Sequence, residues 1–231
     1  MNQQTPFTPC PEATMLQIRF APDVIIEAGV DEAGRGPLWG PLYAAAVIWV
    51  PEEDMNEEQR EISPLIKDSK KLTEKRRTAL AHKIKDLALD WATGSVSPAE
   101  IDELGMTRAN QLAFKRALSG LSVTPERLLI DGCLSLFDHP WGTTEQVVEP
   151  EADNKYLPVA AASILAKTDH DEWIREFCEA NPEVVERYDL LKNKGYGTQK
   201  HRDGILRWGE HPLHRKLFLR KLYSTRQTES V

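Results

Sequence analysis

Near the start of the chain the apolar positions fall in short, dense runs rather than long stripes. "VIIEAGVDEA" and "LYAAAVIWV" are β-branched or apolar throughout and are separated by a glycine- and proline-rich bend around Gly34–Pro41, the pattern of a hairpin of buried strands. "TEKRRTALAHKIKDLAL" then sets Leu80, Ile84, Leu87 and Ala88 at helical spacing behind Thr73, an N-cap candidate with Arg76 where a capping box would want Glu. "WATGSVS" reads as a third strand. "SPAEIDELGM" opens a helix, with Ser97 as cap, Pro98 at the first helical position and Glu100 three residues after the cap, and "TRANQLAFKRALSGL" continues as a second. "RLLIDG" and "EQVVEP" are short strands. "VAAASILAKTDHDEWIREFCEAN" is helical, and its small residues allow close packing on a sheet. Beyond Pro182 the chain is helical and basic.

This order predicts an α/β layer fold, a mixed sheet flanked by helices. We expect an irregular N-terminal tail over 1–24, a catalytic domain over 25–181 and a basic helical C-terminal extension over 182–231. A length of 231 residues suits one such domain with a small appendage, and neither an internal repeat nor a low-complexity linker interrupts it.

Composition narrows the class. With 28% charged residues and no apolar run of roughly 18, the chain offers no membrane span. "MNQQTPFTPCPEATM" has no basic segment followed by an apolar one, so no signal peptide is read and a cytoplasmic location is expected. Cys10, Cys133 and Cys178 lack metal-ligand spacing, which argues against a disulfide framework or a thiolate site. The net charge of −7 disfavours nucleic acid as a partner, but between Lys192 and Arg226 ten basic residues face only Asp203 and Glu210. That stretch is either a solvated face or a phosphate-binding one. "PEEDMNEEQREI" reads as an exposed loop or a capped helix start.

Asp31 and Glu32 are adjacent carboxylates at the end of the first strand. Strand side chains alternate between faces, so a common site requires a bend, and Gly29, Gly34 and Gly36 suggest a bulge. Asp31 as a turn residue and Glu32 as a solvated one is the plainer alternative. Two further acids are suggestively placed: Asp131 ends the strand "RLLID", and Asp153 precedes the long helix. Four carboxylates gathered at strand ends would repel one another unless cations held them, and hard oxygen ligands suit Mg²⁺ or Mn²⁺. Two such ions beside a phosphate imply phosphodiester chemistry. "GRGPLWG" is a poor dinucleotide loop, because its third glycine is one position too far on and Pro37 and Pro41 interrupt the helix that should follow. Arg35 between glycines instead suggests backbone amides close to a sugar-phosphate chain.

Six ordered blocks, "AGVDEAGRGPLWGP", "KDSKKL", "LLIDG", "ADNKYLPVAAASILAK", "NKGYGTQKH" and "HPLHRKLF", resemble the type 2 ribonucleases H, bacterial ribonuclease HII among them. The resemblance covers about Ile25 to Phe218. It implies an RNase H-like fold, hydrolysis of the RNA strand of RNA–DNA hybrids, and incision 5′ of single ribonucleotides in duplex DNA, leaving 3′-hydroxyl and 5′-phosphate ends. It further implies that Asp31, Glu32, Asp131 and Asp153 hold two divalent ions, with Asp31 bridging them. Gly34, Arg35 and Gly36 would meet the ribose 2′-hydroxyl, the one group that separates RNA from DNA at a site. Tyr196 would sense the RNA–DNA junction, unless it is simply a packed loop aromatic. Lys67, Ser69, Lys70, Ser163, Lys167, His214 and Arg215 fall in matching blocks as candidate phosphate contacts, or as surface and packing residues.

Two departures stand out. Glu151-Ala152 replaces the Lys-Gly common before the fourth acid, and "KTDHD" from Lys167 lacks a common arginine. Both make the surroundings more acidic, which keeps a catalytically weak hybrid-binding module open as an alternative. Asp171, four residues after Lys167, can form a helical ion pair with it. Ribonuclease HIII, which cuts longer RNA runs, would require an added N-terminal domain that about 25 residues cannot supply. A monomer is expected, and "STRQTESV" offers no docking signal for a replication clamp.

Overall fold

The computed structural model describes residues 15–228. Residues 1–14 of the expected tail, Cys10 among them, and the last three residues of "STRQTESV" lie outside the described residues.

The hairpin forms as expected: β1 (Glu27–Ala33) pairs antiparallel with β2 (Leu42–Ile48), which pairs antiparallel with β3 (Asp90–Val96). β4 (Arg127–Asp131) and β5 (Glu145–Glu149) lie parallel to β1, giving the order β3-β2-β1-β4-β5. The chain runs outward from β1 to β3 and then crosses back to place β4 on the other side of β1. The β1/β4 seam is thus where strand order reverses, the position at which open α/β sheets place ligands beyond their carboxyl ends.

Alternation decides what covers each face. Ala44, Ala46 and Ile48 of β2, with Val30 and Ile130, pack against Phe114, Ala117 and Leu118 of α4 (Met106–Ser119). Ala33, Ala45 and Val47 pack against Ala161, Ile164 and Leu165 of α5 (Leu157–Ala180) and Leu80, Ala81 and Ile84 of α2 (Glu74–Leu87). The approach of α5 to β1 depends on Gly29, because a Cβ there would lie 2.2 Å from the Pro158 carbonyl carbon.

The caps behave as their sequences direct. Thr73 accepts from the Arg76 N–H, and Ser97 and Glu100 form a reciprocal box at the start of α3 (Pro98–Leu104). The acidic "PEEDMNEEQREI" contains α1 (Glu57–Ile62), started by an Asn56/Gln59 box. At the other end of the chain, α6 (Pro182–Tyr188), α7 (Leu190–Asn193), α8 (Gln199–Trp208) and α9 (Lys216–Thr228) follow α5. Here Trp39 from the β1–β2 loop is buried among Ile174, Cys178, Tyr188, Ile205 and Leu219. In the N-terminal segment, Gln17 exchanges backbone hydrogen bonds with Lys155 and Leu157 at 2.8 Å each. No described helix is long and apolar enough to cross a membrane.

One local expectation is corrected. The β1–β2 register runs from Gly29↔Val47 to Ala33↔Tyr43 without skipping a residue, so no bulge re-aims Asp31 or Glu32. The two side chains keep to opposite faces.

Candidate active site

The site lies at the ends of the strands rather than on one face of the sheet, which removes the need for a bulge. The β1–β4 ladder pairs Val30 with Ile130, so Asp31 and Asp131 are the next positions on adjacent parallel strands and share the α5 face. Asp153 arrives on that face from a 3₁₀ turn, Ala152–Asn154, just before α5. Glu32 emerges on the α4 face, where the Asn110 side-chain amide donates to its Oε2 at 3.4 Å.

Each carboxylate is held locally. Asp31 accepts from the Glu32 N–H at 2.7 Å, and the nearby Ser163 hydroxyl favours its ionised form. Asp131 accepts from the Ala152 N–H at 2.7 Å, and Glu32 lies 3.8 Å from the Arg35 guanidinium. Among the described residues no three acidic, histidine or cysteine side chains converge closely enough to grip an ion as they stand. They nonetheless act on one another through space. Burial pushes the Asp31 carboxyl well above the usual range, and the charges of Glu32 and Asp131 add to it. Burial also raises Glu32, with Asp131 reinforcing and Asn110 and Arg35 opposing. Asp153 is pushed up to about 6, first by burial and then by Asp131 and Asp68. Asp131 is therefore the charge common to all three shifts.

Two observations bear on whether this group fits a hard cation. Asp153 Oδ2 is buried without a hydrogen-bond partner, an oxygen that no protein donor satisfies. The exposed Lys70 ammonium hovers 4.0 Å from it. Although partial burial opposes it, Asp153, Asp68, Asp31 and Asp131 together hold the Lys70 charge up. The acids thus already attract the nearest mobile positive charge, and Asp31, Glu32, Asp131 and Asp153 could hold a divalent ion with oxygen ligands alone.

The other expected residues divide into two groups. Gly34, Arg35 and Gly36 form the loop directly after β1, and a Cβ on Gly36 would lie 3.4 Å from Tyr196 Cε1, so the tyrosine ring rests against that loop. Tyr196 is 43% exposed, and the Lys167 ammonium sits 6.0 Å from its ring centre. Lys67 is exposed and, with Asp68, Lys71, Asp153 and Asn154, lines a cavity of about 430 Å³. Ser69 and Ser163 are buried, with their hydroxyls hydrogen-bonded at 2.9 Å. His214 and Arg215 depart from the expected phosphate contact, being 1% and 0% exposed. Arg215 instead donates to the carbonyls of Gly40 at 2.8 Å and Arg35 at 3.2 Å, and so holds the loop from beneath.

The two acidic departures are absorbed locally. Asp171 pairs with Lys167 at 2.7 Å, the helical pair expected, and with the buried Arg77 at 2.8 Å. Burial opposes its ionisation, yet the bonds from His170 and Lys167 hold its carboxyl down to about 2. Asp169 pairs with Lys85 at 2.9 Å. Glu151 is exposed, and only the backbone N–H of Ala152 is used by Asp131.

Four residues lay outside the sequence-based site. Asp68 lies beside Asp153, and its Oδ1 caps the next turn by accepting from the Lys70 N–H at 2.9 Å. Its position between lysines disguises a buried acid as an ordinary turn residue. Asn110 carries the better clue, a polar residue on the apolar stripe of Ala109, Ala113 and Phe114. His201 lies buried behind the Tyr196 loop. His170 lies beneath Gly34, where a Cβ would come within 2.4 Å of its Cδ2, and Gly34 has φ +84°. Gly34→Ala is therefore expected to cost at least about 1–2 kcal/mol, lowering Tm by roughly 2–8 °C and slowing cleavage. An unchanged melting curve would show that the loop does not require this conformation.

A sequence profile of the Ribonuclease HII family matches residues 28–225. Ribonuclease HII of Bacteroides thetaiotaomicron is 48% identical over 194 residues, covering 84% of this chain and 90% of that one. The protein of the same name from Neisseria meningitidis serogroup B is 42% identical over 194 residues, with 84% and 92% covered. Among solved structures, ribonuclease H2 of Pyrococcus horikoshii superposes with a TM-score of 0.66 at 28% identity, covering 86% of this chain and 97% of that one. Ribonuclease HII of Archaeoglobus fulgidus, solved in complex with PCNA, gives 0.64 at 26%, with 84% and 93% covered. A profile match across most of the chain, with relatives this similar over nearly their whole length, makes this chain a member of the ribonuclease HII family, metal-dependent endoribonucleases that hydrolyse RNA paired with DNA.

Proposed function

We propose that this protein incises duplex DNA on the 5′ side of a single embedded ribonucleotide, as well as the RNA of continuous hybrids, leaving 3′-hydroxyl and 5′-phosphate ends. The observation that carries the reading is the placement of the Tyr196 ring over Gly36, where a Cβ would touch it, in the loop immediately beyond Asp31 and Glu32. A group that can feel a ribose and a group that can bind cations are thereby parts of one short segment. Asp31, Glu32, Asp131 and Asp153 would hold two ions, Mg²⁺ or Mn²⁺, which when bound supply Lewis-acid polarisation of the phosphate and an activated water.

The chain's own residues do the rest. The Ser163 hydroxyl, bonded to that of Ser69, favours the ionised Asp31 carboxylate. The backbone of Gly34–Gly36 approaches the ribose 2′-hydroxyl, and the Tyr196 ring stacks on the sugar that follows it. Arg35, Lys67, Lys70 and Lys167 present cations to flanking phosphates, which makes binding salt-dependent. Lys70, exposed and 4.0 Å from Asp153, would be free to turn to a phosphate if a divalent ion were held there. The protein works as a monomer in the cytoplasm, and no clamp partner is required by this reading.

A duplex carrying one ribonucleotide, incubated with Mg²⁺ or Mn²⁺, is expected to be nicked at that residue. An intact strand with both ions, despite binding, would instead support the hybrid-binding module. Protons and divalent cations compete for the same oxygens, which gives a second test. Because the carboxyls of Asp31, Glu32 and Asp153 are raised in the fold, they stabilise it at low pH and lose that contribution as pH climbs, for Asp153 between 3.8 and about 6. Mg²⁺ should therefore raise Tm by more at about pH 7.5 than at about pH 5. Equal gains at both would place the ion elsewhere.

A further inference from the structure

Two buried histidines stand behind the Tyr196 loop and have no part in the chemistry above. His201, in the first turns of α8, is 0% exposed, and His214, just before α9, is 1% exposed. Their rings meet Nε2 to Nε2 at 3.0 Å. Neighbours at each end fix which atom donates. His201 Nδ1 lies 2.9 Å from the Tyr196 carbonyl oxygen, which can only accept, so Nδ1 carries the proton and Nε2 is left as an acceptor. His214 Nδ1 accepts from the His211 N–H at 2.7 Å, so its own proton is on Nε2. The His211 carbonyl, 3.3 Å from the same Nδ1, is a longer contact that the opposite tautomer could use only by giving up the 2.7 Å bond.

One line of donation therefore runs from the His211 N–H through both rings to the Tyr196 carbonyl. It is complete only when both rings are neutral, since an added proton on either would oppose two N–H groups. Burial favours that state, drawing His201 down and His214 down to about 3. The far end of the line is anchored to the ribose-facing loop. The Arg215 N–H donates to the Leu38 carbonyl at 2.8 Å, the Gly40 N–H to the Leu213 carbonyl at 3.0 Å, and the Leu38 N–H to the Gly195 carbonyl at 2.8 Å. The tyrosine backbone and the Gly34–Gly36 loop are thus tied to the same buried segment.

We propose that His201 and His214 are positioning residues that set the Tyr196 ring against the Gly34–Gly36 loop, and so set the preference for a ribonucleotide followed by DNA over continuous RNA. The proposal deepens the reading of Tyr196 as the junction reader and rests on it. A single hydrogen bond to the tyrosine carbonyl is at stake, so the effect is one of selectivity rather than of loss of activity.

The test measures kcat and KM on a single-ribonucleotide duplex and on a continuous hybrid. His201→Leu, which removes the donor, should lower the ratio of the two kcat/KM values by about tenfold. His201→Asn, whose side-chain amide can occupy the place of Nδ1, should restore most of it. A folded His201→Leu protein with an unchanged ratio overturns the proposal, because a merely structural histidine would slow both substrates together. Nitrogen-15 NMR of the unaltered protein provides a reading that does not depend on any variant folding: a neutral His201 with its proton on Nδ1 and a neutral His214 with its proton on Nε2 are expected. Reversed tautomers, or a charged ring at neutral pH, overturn the proposal directly. Tyr196→Ala, assayed in parallel, separates the two levels. If it shifts the ratio while His201→Leu does not, only the relay fails; if it leaves the ratio unchanged, the junction reading fails and takes the proposal with it.

Discussion

Asp131→Asn is expected to lower the nicking rate by ~10³-fold or more while leaving duplex affinity nearly unchanged. Asp131 lies in the adjoining position to Asp31 across the parallel seam, and its charge raises the carboxyls of Asp31, Glu32 and Asp153 together. Cation-assisted stabilisation of a phosphoryl transition state is worth several kcal/mol, and each 1.36 kcal/mol is about tenfold in rate. Asparagine keeps an oxygen for the Ala152 N–H that Asp131 now accepts from, so the turn that delivers Asp153 should persist. Removing the charge also relieves repulsion. The metal-free variant should therefore melt at or above the temperature of the unaltered protein, whereas a purely structural acid would lower it. Loss of cleavage accompanied by a large fall in Tm would argue against the ligand role.

Tyr196→Ala should reduce cleavage at a single ribonucleotide by roughly 10–100-fold relative to cleavage of a continuous hybrid, because burying an aromatic side chain against the substrate is worth about 1.5–3 kcal/mol and each 1.36 kcal/mol is about tenfold in rate. The ring faces Gly36 closely enough that a Cβ there would touch it, with Lys167 on one side, and is open enough to meet a substrate. General grip would behave differently. If Tyr196 only added contact area, both substrates would lose rate in parallel and the ratio would hold.

Much of the framework could be read before the structure, for local reasons. The Ser97–Glu100 box, the Thr73 cap and the alanine-rich α5 are set by interactions within a few residues, and each appears where the sequence places it. The four acids were visible because carboxylates at strand ends are unusual neighbours. Their faces were not. The bulge expected from Gly29, Gly34 and Gly36 assumed that a common site must lie on one face, whereas the β1–β4 seam brings both faces to a common edge. That seam pairs residues about a hundred positions apart, as in Val30↔Ile130, and no local periodicity records it. Burial of charge was equally hidden. His214 and Arg215 sit in a basic stretch that looks solvated, yet both face inward: Arg215 donates to the loop carbonyls of Gly40 and Arg35, and His214 bonds His201. Asp68 was missed for the converse reason, as an acid flanked by lysines that the fold turns toward Asp153.

In the function proposed above, the carboxylates near the ends of β1 and β4 jointly hold the divalent ions that carry the hydrolysis. Counting bound Mn²⁺ by electron paramagnetic resonance, with the protein bound to its nicked product, tests this most directly. Two ions per complex are expected, with at least one lost in Asp153→Asn, whose Oδ2 has no other partner. Full Mn²⁺ occupancy retained after Asp31 and Asp131 are both changed to asparagine would contradict the account.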